Sequence, residues 1–374
     1  MPAGEEGCDS VGAMGEALKV SGVVLPEGKR RDLYVRDGVV TYAPVDGARD
    51  LGTGWIVPGL VDAHCHIGID ERGGETDAES AEAHALVNRD AGTLLVRDCG
   101  SVHDTRWIDE RADLPRVVRC GRHIARTRRY IRGFAHEIEP DELVAYVQQE
   151  ARRGDGWVKL VGDWIDREIG DLAPAWPGAA LRDAVAAAHD LGARVTVHVF
   201  GEQALPDLLD AGVDCIEHGA GLGSETIAQM VEQGTAYVPT ALQLNNFPDF
   251  AAQAGAKFPA YAKHMRDLHA RRKDTVLAAY EAGVPIYCGS DAGGVRPHGT
   301  GRDEIAELAA YGLSAYDALG AGSWRAREWL GFDGSLSEGS AADFLVLARD
   351  PLADVSVLRE PSSIVLRGAV VTTP

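Results

Sequence analysis

Residues 58–66 read Pro58-Gly59-Leu60-Val61-Asp62-Ala63-His64-Cys65-His66 and follow the apolar run Trp55-Ile56-Val57. This pattern predicts a strand, in which successive side chains alternate faces, so His64 and His66 should project to the same side. Two neutral imidazoles that converge at the end of a strand supply half of a divalent metal site. Two ordinary surface histidines near a turn would give the same spacing, so the metal hypothesis depends on further ligands elsewhere in the chain.

Composition narrows the class of protein. The chain has 374 residues, of which 45% are hydrophobic, enough for one large barrel and a smaller domain. Its formal net charge of -20 would repel a phosphate backbone, so we expect no nucleic-acid partner. Six cysteines without a Cys-x-x-Cys pair favour a reducing compartment. Because the sequence has neither a long apolar run nor a signal-peptide pattern, we expect a cytoplasmic protein with no membrane partner.

The middle of the chain differs in pattern from both ends. Residues 1–14 are predicted to be disordered, and short β segments fill 15–58, where Asp37-Gly38 predicts a hairpin. Residues 59–330 alternate eight strand candidates with helices, which predicts parallel strands in a closed (β/α)₈ TIM barrel. The β pattern returns in 331–374. The predicted fold is therefore an α/β protein, with a TIM barrel and a small β-sandwich domain built from both chain ends.

Polar residues recur where the predicted barrel strands end. Lys159 lies in the fourth strand, His198 ends the fifth, His218 ends the sixth, and Asp291 ends the eighth, residues 285–291. Active sites of such barrels lie at the C-terminal ends of the strands. These residues are therefore the candidates that complete the site begun by the two histidines of the first strand.

The same segments resemble the amidohydrolase superfamily over nearly the whole chain. The pieces that carry the resemblance are residues 58–66, Val158-Lys159-Leu160, Val197-His198, Ile216-Glu217-His218-Gly219 and Gly289-Ser290-Asp291-Ala292-Gly293. Within the superfamily, the sequence is most similar to the imidazolonepropionase-like and Xaa-Pro dipeptidase-like branch. The tail from Glu338 to Phe344 is similar to a strand of that superfamily's split β-sandwich.

The resemblance implies a binuclear metal centre. It assigns one divalent metal to His64, His66 and Asp291, and a second to His198 and His218. Lys159, carboxylated by CO₂, would bridge the two ions, because an unmodified ammonium has no acceptor lone pair. The implied ions are two Zn²⁺, with Mn²⁺ or Fe²⁺ as alternatives. They would share a hydroxide, whose proton Asp291 would accept and pass to the leaving nitrogen.

Each implied role has a structural alternative. Asp291 could cap a helix. His198 and His218 could be core histidines that hydrogen-bond to the backbone. Lys159 could pair with an acid such as Asp98 or Glu217.

The loop from residue 121 to 140 is the candidate for substrate contact. Related enzymes carry a His or Tyr here that touches the substrate, so we name Tyr130 and His136 as candidates. The usual Gly-Gly-His pattern is replaced by Arg132-Gly133-Phe134-Ala135-His136. The loop also holds five arginines, which could recognise an anionic group or form a solvated face.

The sequence thus predicts a metal-dependent hydrolase that cleaves an amide or other C–N bond of a small molecule, such as a dipeptide or an N-acyl amino acid. A first alternative is a mononuclear deaminase or a cyclic-amide hydrolase of the imidazolonepropionase type. Such deaminases usually have a His-x-x-Glu arrangement, whereas Glu202 follows His198 by four residues. A second alternative is a non-catalytic relative that kept only the fold. Outer barrel helices often build homo-oligomers, so a homo-oligomer is compatible with the sequence.

Overall fold

The computed structural model describes residues 16–69 and 77–371. The predicted disordered segment 1–14 lies outside the described residues. Within the described ranges, no helix combines the length and the apolar character needed to cross a membrane.

Strands and helices alternate through most of the chain. The strands are β1 (Leu18–Val24), β2 (Lys29–Arg36), β3 (Val39–Thr41), β4 (Arg49–Pro58), β5 (Leu60–Cys65), β6 (Thr93–Asp98), β7 (Arg116–Arg119), β8 (Ile124–Arg126), β9 (His136–Ile138), β10 (Trp157–Val161), β11 (Asp163–Asp166), β12 (Asp171–Pro174), β13 (Arg194–Val199), β14 (Cys215–His218), β15 (Ala236–Val238), β16 (Phe344–Leu347), β17 (Ser363–Leu366) and β18 (Ala369–Val370). The α-helices are α1 (Ala78–Asp90), α2 (Leu143–Arg153), α3 (Gly178–His189), α4 (Leu205–Asp210), α5 (Ser224–Gln233), α6 (Ala241–Leu244), α7 (Phe247–Ala254), α8 (Pro259–Ala282), α9 (Gly301–Ala310), α10 (Ala315–Ala321) and α11 (Trp324–Trp329).

The two ends of the chain share one seven-stranded sheet. Its strand order is β18-β17-β16-β4-β1-β2-β3. Strand β1 buries alternate residues, including Leu18 and Val20, as expected for a strand with one face on a core. These side chains pack with Phe344 and Val365 from the C-terminal strands. The contribution of both ends to one sheet is therefore observed, while the two-layer sandwich stays a prediction.

Parallel strands form the centre of the molecule. Strands β5, β6 and β7 pair in that order, and a second sheet has the order β15-β14-β13-β10-β8-β9. The pairs within both sheets are parallel, and helices lie between most of the strands along the chain. Both faces of β5, β6 and β10 are buried, which is typical of a parallel sheet covered by helices. The α/β class predicted from the sequence is confirmed.

The predicted eighth strand, residues 285–291, does not form a regular ladder. Its backbone instead alternates between two neighbours. The amide of Tyr237 donates to the carbonyl of Pro285 at 2.8 Å, whereas the amide of Ala63 donates to the carbonyl of Cys288 at 2.8 Å. The amide of Asp291 then donates to the carbonyl of His64 at 2.7 Å. This segment therefore joins β15 to β5, and it brings Asp291 beside the histidines of β5.

The sequence pattern of residues 315–330 predicts one helix, and this prediction is wrong, because the structure divides the segment into α10 and α11. The break lies at Gly322 and Ser323. The Gly322 carbonyl accepts a hydrogen bond from the Val61 amide at 2.8 Å, and the Ser323 hydroxyl donates to the Pro58 carbonyl at 2.7 Å. Both hydrogen bonds connect the break to residues at the junction of β4 and β5. A side chain at position 322 would also clash with Ile305.

Helix α8 is held over the strand ends by His264. Its Nδ1 lies 3.0 Å from a carboxylate oxygen of Asp171 in β12, and its Nε2 lies 2.8 Å from one of Glu202, which follows β13. The hydrogen bond to Glu202, supported by that to Asp171, raises the pKa of His264 to about 9. The imidazole is therefore charged in the folded protein at neutral pH and links α8 to two strand-end segments.

This link should make stability depend on pH. An unfolded histidine has a pKa of about 6.5, so the stabilisation should be complete below that pH and lost as the pH rises through about 9. We expect His264→Gln to lower the free energy of unfolding by about 1 kcal/mol at pH 6, since Glu202 is half exposed and partly screened. Urea unfolding at pH 6, 8 and 10 should show the difference between the two proteins shrinking. A constant difference would contradict this role.

Candidate metal centre

The side chains predicted for metal binding line one cavity of about 570 Å³. They come from strands that are far apart in the sequence but end at the same side of the parallel sheets, as expected for such strands. All six predicted metal ligands are among the lining residues: His64, His66, Lys159, His198, His218 and Asp291.

Three of these groups converge closely. The Nε2 atoms of His64 and His66 are 3.3 Å apart, and each lies 3.2 Å from Oδ1 of Asp291. Ligand atoms at roughly 2.0–2.1 Å from a tetrahedral metal are separated from one another by roughly 3.3 Å. The spacing of these three atoms therefore fits three ligands of one ion. A ligand atom of His218 lies within 4.8 Å of those of His64 and Asp291.

The opposite ring nitrogens fix the orientation of three histidines. Nδ1 of His64 lies 2.6 Å from the Glu217 carboxylate, and Nδ1 of His66 lies 3.1 Å from the Gly100 carbonyl. Nδ1 of His218 lies 2.7 Å from the hydroxyl of Thr240. Metal-binding histidines typically use their second nitrogen in this way, which fixes the tautomer and points the other lone pair at the ion.

The backbone around the centre is strained. His218 and Asp291 adopt left-handed conformations, with φ of 66° and 55°. Such conformations are uncommon for residues other than glycine and are enriched at functional sites. Asp62 supports the backbone next to Asp291, because the Asp62 carboxylate accepts hydrogen bonds from the Ser290 amide at 2.9 Å and from the Ser290 hydroxyl. Position 289 requires glycine, since a Cβ there would lie 2.6 Å from that of His64.

Among the six predicted metal ligands, two buried polar atoms have no hydrogen-bond partner. They are Nζ of Lys159, a residue with 1% exposure, and Nε2 of His198, with 4% exposure. The alternative that pairs Lys159 with Asp98 or Glu217 would require a direct hydrogen bond, which the structure does not contain. Buried polar groups are normally satisfied, and the exceptions often mark sites for an ion or a ligand. These two atoms are therefore available as ligands for an ion in the cavity.

Burial keeps the imidazoles of His198 and His218 neutral. It lowers the pKa of His198 well below its usual range and lowers that of His218 to about 3, with repulsion from neighbouring cationic groups adding to the effect. Burial alone would raise the pKa of Asp291, but attraction to His64 and hydrogen bonds from His64 and His66 hold this pKa well below its usual range. Neutral imidazoles and an ionised carboxylate are the protonation states that bind a divalent metal.

The two candidates for substrate contact differ in position. Tyr130 lines the cavity, with its ring centroid 5.8 Å from that of His198. The structure does not bring His136 to the cavity, since its Nε2 lies 2.9 Å from a carboxylate oxygen of the buried Glu150. The local sequence could not reveal this acid, which is fourteen residues further along the chain.

His123 lies beside the predicted site residues His66 and Tyr130, and it was not singled out from the sequence. Its ring is fully buried, neither nitrogen has a hydrogen-bond partner, and its centroid is 5.2 Å from that of His66 and 5.1 Å from that of Tyr130. The available signal was its position shortly after β7, because the same rule of polar residues at strand ends identified the predicted ligands.

Three of the five arginines in the loop are used within the protein. Arg129 pairs with Asp166, Arg126 pairs with Glu139 at 3.3 Å, and Arg122 donates to the carbonyls of Phe134 and Gly133 at 2.9 and 2.8 Å. None of the five is among the described residues that line the cavity. The geometry therefore gives these arginines a structural role in holding the loop.

Residues 55–371 match the protein family described as the amidohydrolase family. The chain belongs to the amidohydrolase family. The superfamily predicted from the sequence is thus confirmed, and with it membership of a family of hydrolases that generally use divalent metals.

Several other proteins are similar to this chain in sequence or in structure. An uncharacterized protein of Mycobacterium tuberculosis is 53% identical over 353 residues, which cover 94% of this chain and 95% of that protein. A crystal structure of a Xaa-Pro dipeptidase with bound methionine has a TM-score of 0.80 and 23% identity, covering 96% of this chain and all of that one. The structure of ochratoxinase from Aspergillus niger has a TM-score of 0.76 and 18% identity, covering 95% of each chain. Both solved structures share the fold.

Proposed function

We propose that this amidohydrolase-family protein hydrolyses an amide-type C–N bond of a small molecule at a binuclear metal centre. The observation that carries the proposal is the convergence of His64, His66 and Asp291. They lie beside the buried amine of Lys159, which has no hydrogen-bond partner. A purely structural cluster would be expected to satisfy that amine.

The donor set fits two divalent ions. His64, His66 and Asp291 would hold one ion, and His198 with His218 would hold the other. Carboxylation of Lys159 would join its amine nitrogen to CO₂ with loss of one proton, which gives an anionic oxygen ligand between the two. Two Zn²⁺ suit imidazole and carboxylate ligands, as do Mn²⁺ and Fe²⁺. When bound, the ions would polarise the scissile carbonyl and make a water acidic enough to attack it at neutral pH.

The protein's own groups would supply orientation and proton transfer. Asp291 is ionised and borders the cavity, so its carboxylate can accept the proton of the attacking water and then deliver it to the leaving nitrogen. The Tyr130 hydroxyl could donate a hydrogen bond to the substrate, since burial and nearby Asp291 raise the pKa of Tyr130 and keep it protonated. Buried Glu217 holds the ring of His64 in place.

The rival functions have less support. Glu202, the residue nearest to the deaminase pattern, pairs with His264 and Arg271 and is not among the described residues that line the cavity. Its carboxylate is therefore occupied away from the metal ligands. A non-catalytic relative would not need a filled set of ligand positions.

We also infer the complete architecture that places this centre. Residues 59–330 would form a closed (β/α)₈ barrel, in which the segment 285–292 completes the ring between β15 and β5. Residues 15–58 and 331–374 would form the small β-sandwich domain. Support comes from bridges of this segment to Tyr237 on one side and to Cys65 on the other.

Metal content tests the binuclear centre. We expect about two ions per chain by plasma mass spectrometry when the protein is grown with zinc and bicarbonate. Lys159→Ala should retain about one or fewer, because the bridging ligand is lost. Lys263→Ala, which removes an exposed lysine paired with Asp267, is the matched control and should retain two. About one ion in both parent and Lys159→Ala would show that Lys159 is not a ligand.

A further inference from the structure

Seven phenylalanine, tyrosine and tryptophan side chains line the cavity beside the proposed metal centre. Five of them are partly exposed, and we call these five the aromatic cradle: Tyr130, Trp164, Phe250, Phe258 and Tyr261. We propose that the substrate is an amide that carries an aromatic ring, which packs against this cradle. That the substrate is an amide rests on the proposed hydrolase function, but the binding of an aromatic group can be tested separately.

One part of the cradle adjoins the metal ligands. The rings of Tyr130 and Trp164 meet edge to face, with centroids 4.9 Å apart. Their centroids lie 5.8 and 5.4 Å from that of His198. An aromatic ring stacked on this pair would therefore be bonded directly, or through a short linker, to a carbonyl at the metal centre.

The rest of the cradle comes from helices. Phe250 lies on α7, and Phe258 and Tyr261 lie at the start of α8. All three are half-buried, so part of each ring is open to the cavity. By contrast, the neighbouring Phe200 and Phe247 are buried and pack on each other with centroids 4.8 Å apart.

This difference in exposure distinguishes rings that are used in packing from rings that are available to a ligand. Phe247 is fully buried, and Phe200, which borders the cavity, is only 5% exposed, whereas the cradle rings leave more apolar surface in contact with water. Burying such surface against a ligand is favourable, and aromatic rings gain further from offset or edge-to-face contacts. Cavities lined mainly by apolar and aromatic side chains, with a few polar groups at one end, are typical of small-molecule sites.

Charge supports recognition by stacking. Among the described residues that line the cavity, the only lysines are Lys159 and Lys257, and no arginine is present. Lys159 belongs to the proposed metal centre, and Lys257 is exposed, with its amine 5.2 Å from the ring centroid of Phe258. The cradle is therefore suited to an uncharged ring rather than to a group with several anionic oxygens.

Binding of ketones tests the cradle without hydrolysis. Methyl naphthyl ketone and acetone share a carbonyl but differ in the ring, and neither can be hydrolysed. By calorimetry on the purified protein, we expect the dissociation constant of the naphthyl ketone to be at least about 100-fold lower. Phe250→Ala and Phe258→Ala should each weaken its binding by about tenfold. Tyr316→Ala, which truncates an exposed aromatic residue on α10, should leave it unchanged.

The outcomes are distinct. If the naphthyl ketone binds no better than acetone, or if the cradle variants behave like Tyr316→Ala, the cradle proposal is wrong. Hydrolysis of acetylglycine, naphthoylglycine and N-naphthylacetamide then separates the two proposals. Tight ketone binding with no hydrolysis of any amide would remove the hydrolase proposal and keep the cradle. Hydrolysis of acetylglycine as fast as both naphthyl amides would keep the hydrolase and remove the cradle.

Discussion

Asp291→Asn is expected to lower kcat for amide hydrolysis by about 10³-fold or more, because it removes both an anionic metal ligand and a proton acceptor. Asparagine keeps the shape of the side chain and one oxygen, but it is uncharged and cannot take a proton from water. The Oδ1 atom of Asp291 lies 3.2 Å from Nε2 of both His64 and His66, and no other carboxylate of the described residues pairs with these two atoms. The measurement is kcat on an amide that the parent hydrolyses, together with the metal content of both proteins.

The matched control for this variant is Asp183→Asn. Asp183 is exposed on α3, away from the cavity, and its replacement removes the same charge from the protein. We expect its kcat to stay within about twofold of the parent, since surface charges far from a site act weakly through solvent. If Asp291→Asn retains a tenth or more of the parent activity, Asp291 is not the proton-transfer group.

The sequence predicted the centre of the fold well because the signals there are local. Apolar runs that end in His64, His198 or His218 identify both the strand and the side at which its polar residue lies. The patterns of residues 78–90, 93–98 and 215–218 predict one helix and two strands, and α1, β6 and β14 have these bounds. Parallel strands then bring their ends together, so residues more than two hundred positions apart could be placed in one site before any distance was known.

Other features depend on contacts that no local pattern contains. The position of His136 is set by Glu150, and the break between α10 and α11 is set by hydrogen bonds to residues near position 60. The segment 285–291 reads as a strand, yet its hydrogen bonds alternate between two neighbours. The cradle rings on α7 and α8 give no motif, since an aromatic residue that faces a cavity and one that faces the core look alike in sequence.

The network behind His64 should be the most sensitive part of the centre for stability. Glu217 has 0% exposure, and its carboxylate accepts hydrogen bonds from the Arg97 guanidinium at 2.5 Å and from the Thr196 hydroxyl, besides its contact with His64. Burial alone would raise the pKa of Glu217, but Arg97 and His64 hold it well below its usual range. The pair is therefore ionised inside the protein, where each charge depends on the other.

Glu217→Gln should consequently lower the free energy of unfolding of the metal-free protein by about 3–5 kcal/mol, because it leaves the Arg97 charge buried without a counter-charge. Urea unfolding measures this cost. Glu225→Gln, an exposed change on α5, is the control and should cost about 0.5 kcal/mol or less. A double variant that adds Arg97→Met should recover part of the loss, since removing both charges avoids an unpaired one.

Metal affinity should fall along with stability in Glu217→Gln, but for a different reason. The amide would present either a weaker acceptor or a donor to Nδ1 of His64, so the ring would no longer be held with Nε2 directed at Asp291. Loss of such a supporting group typically lowers metal affinity by about 10–100-fold, and we expect a loss of that size here. Arg97→Met should not restore this affinity, because it leaves the contact with His64 unrepaired. If the double variant regains both stability and affinity, Glu217 acts on the fold alone and does not orient the ligand.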